Sequence, residues 1–201
     1  MKYLPGKLIL LLFPISSFAQ TQFRLPSFKS SPAAASSFQI NIQRIVADYP
    51  NQFDHIKGEV VEQNPQSVVY QSLIVPVGAE GPTITQYSSK KRAVYSWQAE
   101  MLSTEDFDQA AKKYKSLFNQ LKGTNVVFNA SHNYYLQGTY EEADESKKFT
   151  NTILNFATRE EPMNKLKVEI NIQYEFPEWK VNLLIYERER ADDERGNIFD
   201  N

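Results

Sequence analysis

The chain has 201 residues, with 24 acidic against 22 basic side chains, two histidines and no cysteine. Without cysteine there are no disulfides and no thiolate metal centres, and the slightly negative balance gives nucleic acid or an anionic membrane no electrostatic footing. Seven glycines leave no G-x-G-x-x-G and no Walker loop to cradle phosphates.

Residues 1–19 read as a cleavable export signal. Lys2 and Lys7, with no acid between them, make a basic start. Leu8 to Phe13 forms an apolar run well short of the about 20 residues that span a bilayer. Ser17-Phe18-Ala19 then offers small side chains to a peptidase, so cleavage is expected before Gln20. No cysteine follows to take a lipid, and no second apolar run is long enough for a membrane span. The chain is therefore expected to be soluble and exported, to a periplasm or beyond the cell. Residues 20–36, rich in Ser, Pro and Ala, read as a flexible leader.

From Ser37 an apolar stripe begins. Phe38, Ile42, Ile45, Val46 and Tyr49 recur at helical spacing. Pro50 interrupts the stripe, and Phe53 and Ile56 continue it to Gly58. A second helix carries Phe107, Ala110, Ala111, Tyr114, Leu117, Phe118 and Leu121 on one face. Ser103 to Asp106 supply capping oxygens and early acids, and Gly123 a C-terminal stop. The two segments match at an offset of 65: Tyr49, Phe53, Asp54, Ile56, Lys57 and Gly58 fall on Tyr114, Phe118, Asn119, Leu121, Lys122 and Gly123. Each copy is followed by a valine pair, Val60-Val61 or Val126-Val127, and then by β-rich segments. This pattern predicts an internal duplication, 37–101 and 102–190.

Strands are expected over 67–75, 82–88 and 92–101 in the first half, and over 133–141, 149–158, 166–176 and 179–188 in the second. The last two make the clearest hairpin. Leu166, Val168, Ile170, Ile172, Tyr174 and Phe176 alternate with Lys167, Glu169, Asn171, Gln173 and Glu175, and Pro177 follows as turn residue. One apolar and one polar face mean a sheet covered on one side. The predicted class is α+β: a curved antiparallel sheet of about seven strands, with two helices over one face, built from two tandem helix-plus-meander repeats. Residues 37–190 form the domain and 191–201 a charged tail. In layout alone, such a chain resembles secreted inhibitors of the β-lactamase-inhibitor type, with no shared motif.

Candidate chemistry is sparse. His55 falls where the second copy has Gln120, so that position tolerates loss of an imidazole. His132 lies beside Ser131 without a G-x-S-x-G elbow, and adjacency in sequence makes no triad. Glu141, Glu142, Asp144 and Glu145, like Asp192, Asp193 and Glu194, read as solvated acids rather than a calcium loop. No catalytic, cofactor-binding or metal-ligating residue is assigned, and no cofactor is expected. Aromatics stand out instead: Tyr70, Tyr87, Tyr95, Trp97, Tyr134, Tyr135, Tyr140, Tyr174, Trp179 and Tyr186 fall almost wholly on expected strands. Most fill the layer between sheet and helices. Tyr135 and Tyr186 are expected to face outward and meet a partner, since tyrosine gives large amphipathic contacts at low entropy cost. The reading is an exported, non-catalytic binding protein for a protein, peptide or glycan. Its alternative is a small hydrolase or lyase assembled from scattered acids, Ser131 and His132.

Overall fold

In the computed structural model, residues 36–88, 93–129 and 132–187 are described, with the backbone alone for 128, 129 and 132. The expected export signal, the leader up to residue 35, the charged tail and Ser131 lie outside the described residues. Helix α1 (Ser37–Asp48) opens on a capping box: Ser36 Oγ accepts the Gln39 N–H at 3.2 Å, and the Gln39 side chain accepts the Ser36 N–H at 3.0 Å. Phe38, Ile42, Ile45 and Val46 make its buried stripe. The helix stops at Asp48, because Pro50 has no N–H to extend the ladder. A 3₁₀ turn follows over Tyr49–Asn51, and Gln52 and Phe53 both take φ of 59°. Phe53 and Ile56 therefore reach the core from a turn, not from a continued helix, and both are buried there.

Helix α2 (Phe107–Leu121) is capped by Asp106, whose carboxylate accepts the Gln109 N–H at 3.1 Å. It ends where Gly123 takes φ of 77°, a conformation that favours glycine. Tyr114 to Phe118 thus lies on one continuous helix, whereas Tyr49 to Phe53 bends through two left-handed residues. The four rings are buried in both cases.

The strands are β1 (Lys57–Asn64), β2 (Ser67–Ser72), β3 (Glu80–Tyr87), β4 (Val94–Thr104), β5 (Asn125–Asn129), β6 (His132–Gln137), β7 (Phe149–Phe156), β8 (Leu166–Glu175) and β9 (Glu178–Glu187). They form one antiparallel sheet of nine strands in the order β1-β2-β3-β4-β9-β8-β7-β6-β5. The class is α+β, with two strands more than the alternation in the sequence announces. The two additions, β1 and β5, are the edges of the sheet. An edge strand need not bury alternate residues, and Val60 and Val61 are both exposed although adjacent.

Along β4, Tyr95, Trp97, Ala99 and Met101 are buried; along β8, so are Leu166, Val168, Ile170 and Ile172; along β9, Trp179, Val181, Leu183 and Ile185. These face α2, which packs across β4, β8 and β9. Each large side chain so buried stabilises the fold by about 1.5–3 kcal/mol relative to exposure. Polar atoms in this layer are paired. Trp97 Nε1 donates to Ser72 Oγ at 2.9 Å, and the Tyr114 and Thr152 hydroxyls share a 2.6 Å bond. Burial pushes the Tyr114 phenol up to about 12. Helix α1 tethers the β5 edge, through Gln43 Nε2 to the Asn125 carbonyl at 2.6 Å. Among the described residues no helix is long and apolar enough to cross a membrane.

Candidate functional site

The period of two that buries Trp97 and Ala99 turns Ser96, Gln98 and Glu100 to the other face of β4. Strand register carries that face across the sheet. Thr83, Gln98, Leu184, Glu169 and Ile153 stand side by side in one row. The next row holds Glu80, Glu100, Asn182, Asn171 and Asn151, and the one beyond it Ser103, Lys180, Gln173 and Phe149. On the opposite flank, Ser96, Tyr186, Lys167 and Asn155 form a further row. Among the described residues no helix covers these side chains. Between β3 and β8 some of them, Glu80, Gln98, Glu100, Asn171, Gln173, Lys180, Asn182 and Leu184, line an open groove of about 660 Å³.

Asn171 and Asn182 of the groove lining belong to a network of amides and carboxylates that continues outside it. Asn182 Nδ2 donates to Asn171 Oδ1 at 3.1 Å, and Asn171 Nδ2 donates to Glu169 Oε1 at 3.5 Å. Glu169 also accepts from Asn151 Nδ2 at 3.2 Å and from the Tyr186 hydroxyl at 2.7 Å. Asn171 is only 7% exposed despite lying on the uncovered face. At the far end the Lys180 ammonium sits 2.8 Å from Glu175 and 3.8 Å from Glu100, and Gln173 Nε2 donates to Glu175 at 2.7 Å. The hydrogen bond to Glu175 is the main cause that raises the Lys180 pKa, so this cation stays charged. A network with its members already oriented spends little entropy on receiving a ligand.

Tyr135 and Tyr186 both lie on the open face. Tyr135 is 50% exposed on β6, two residues from Gln137, which pairs with Asn155. Tyr186 is half-buried and belongs to the groove network. They are three strands apart, neither lines the groove, and they do not form one aromatic platform. Tyr87 and Phe149 are the other exposed rings on this face. Tyr95, Trp97 and Trp179 point to the helices and are buried; Tyr140 packs its ring on Tyr114 and Phe118.

The remaining candidates stand elsewhere. His55 pairs with the buried Asp48, Nδ1 to Oδ1 at 2.6 Å, on the turn after α1. The backbone of His132 begins β6. In the turn before β7, Asp144 accepts from Ser146, and Glu141 pairs with Lys147 at 3.3 Å. Among the described residues no three His, Cys, Asp or Glu side chains converge to hold a metal ion.

Sequence reasoning passed over Gln98, Asn151, Asn171 and Asn182, reading alternating polar positions as a solvated face. The trace they left is compositional. Exposed strand faces often take Lys, Glu and Thr, whereas short amides, disfavoured in strands, need a reason to be there. Comparison with family models, curated proteins and solved structures finds no match.

Proposed function

We propose that this is an exported, soluble binding protein without catalytic activity, which takes its ligand in the groove on the open face of the sheet. The observation that carries this reading is the pre-formed amide and carboxylate network around Glu169, which reaches the groove through Asn171 and Asn182 on a face that no described helix covers. Polar groups half-buried without an apolar partner contribute little to the core, and their fixed orientation suits recognition. Tyr186 joins that network directly, and Tyr135 stands three strands away on the same face. The export signal over residues 1–19 gives the protein a place in the periplasm or outside the cell.

The tandem reading, 37–101 and 102–190, is supported by strand order. Each half is a helix followed by a meander, and the last strands, β4 and β9, meet antiparallel at the centre of the sheet. An approximate two-fold would set β1 and β5 at the outer edges, with one strand of the five-stranded second half unmatched in the four-stranded first.

Binding measurements on single variants test the function. Alanine at Asn182 or Tyr135 should weaken ligand capture, and His132→Ala should leave it intact. A folded His132→Ala protein that loses a hydrolase or lyase activity would favour the enzymatic alternative instead, since a general acid or base contributes about 10²–10⁴-fold.

A further inference from the structure

Resting on the reading of the groove as the ligand site, we infer that its ligand is an uncharged oligosaccharide chain. The floor offers no apolar anchor: Ala99 and Leu184 are its only aliphatic lining residues. Protein and peptide partners are held chiefly by aromatic and aliphatic anchors in a desolvated centre, or by main-chain bonds to a strand edge. This groove runs over the sheet face, and its centre is amide.

The amides form a flat lattice, with neighbours about 4.8 Å apart across strands and about 6.8 Å apart along them. Each carries both donor and acceptor atoms, the complement of a sugar hydroxyl, which is also both. The internal bonds decide which atoms remain for a ligand. Asn182 and Gln173 spend an N–H inside the network and keep their carbonyl oxygens, while Gln98, exposed, keeps its whole amide.

Charge is consumed in part within the network: Lys180 is shared by Glu175 and Glu100, while Glu80, also in the lining, is exposed and has no ion-pair partner among the described residues. Glu169 takes three donors, and Glu175 takes Lys180 and Gln173. A polycation would have to break these bonds, whereas a neutral polyol can add to them. Rings stand at both ends of the same face, Tyr186 at one and Phe149 beside Gln173 at the other. The six residue steps from Tyr186 to Lys180, whose neighbour is Gln173, span roughly 20 Å of strand. Aromatic faces at that separation would stack on the apolar faces of sugar rings near the ends of a short chain.

The test is an array of neutral gluco-, manno-, xylo- and N-acetylglucosamine oligosaccharides, printed beside neutral and basic peptides and probed with the purified chain. The expected result is capture of one oligosaccharide class. Affinity should fall about tenfold or more in the Gln98→Ala/Asn182→Ala double variant, as for two lost hydrogen-bonding groups, with a small fall in melting temperature because Asn171 Oδ1 loses its donor. Gln98→Arg, at an exposed position, should block binding by filling the groove and serves if the double variant does not fold. Peptide capture that Gln98→Arg abolishes, with no sugar bound, would overturn the ligand class and leave the groove standing. Capture of any probe that Gln98→Arg leaves unchanged would overturn both. An array on which no oligosaccharide binds overturns the inference.

Discussion

Tyr186 donates its hydroxyl to Glu169 Oε2 at 2.7 Å, across the β8–β9 ladder and on the uncovered face of the sheet. The bond joins an aromatic ring recognisable in the sequence to a carboxylate that the sequence does not mark. Glu169 collects Asn151, Asn171 and Tyr186, so a change at the tyrosine reaches the amides that floor the groove.

Tyr186→Phe isolates that bond. The ring and its packing stay, and Glu169 loses one of three donors. Stability should fall by about 0.5–1.5 kcal/mol in urea unfolding, and ligand affinity should fall with it. Tyr186→Ala is a poorer probe than the outward position suggests, because the ring is half-buried. An unchanged affinity in Tyr186→Phe would detach the tyrosine from the site.

Phe53→Ala and Phe118→Ala should each destabilise by about 3–5 kcal/mol, the range for emptying a buried aromatic site. Phe53 is fully buried and Phe118 nearly so. They reach the core from different backbones, a left-handed turn and a helix, so similar losses would show that the turn after α1 is as firmly packed as α2. A loss below about 1 kcal/mol at Phe53 would mean that the turn is not anchored by its ring.

His55 supplies a pH dependence whose sign is fixed. Its hydrogen bond to the Asp48 carboxylate, and then the charge of Asp48, raise its pKa above 6.5 in the folded protein. The pair therefore stabilises fully below the unfolded value near 6.5, and its contribution is lost as pH rises through the raised folded value. Melting temperature followed from pH 5 to 9 should decline across that window in the wild type relative to His55→Gln, the residue type the second helix carries at position 120. Parallel curves for the two proteins would contradict the pairing.

Much of the scaffold was legible, and for a common reason. The central strands β4, β8 and β9 are covered on one face only, so their alternation is unbroken in sequence and their parity follows from it. Tyr186, on β9, could be placed on the open face on that basis. The edges were not legible, since Val60-Val61 and Val126-Val127 carry no alternation. The break at Asp48 was half visible: Pro50 marks it, but the φ of 59° at Gln52 and Phe53 belongs to residue types that seldom take it. The groove was the hardest to see. Asn151, Asn171 and Asn182 come from three strands, and register alone brings them into one row.

The location of the ligand site is tested most directly by two charge-altering variants on opposite faces. Gln98→Arg places a long side chain in the groove from an exposed position, and Lys115→Glu alters the outer surface of α2. Both should fold with wild-type melting temperatures, and affinity for the captured ligand is then measured by calorimetry. The structure predicts that Gln98→Arg abolishes binding while Lys115→Glu leaves it within about twofold. Binding that survives Gln98→Arg and fails in Lys115→Glu would place the site on the helical face and contradict the account.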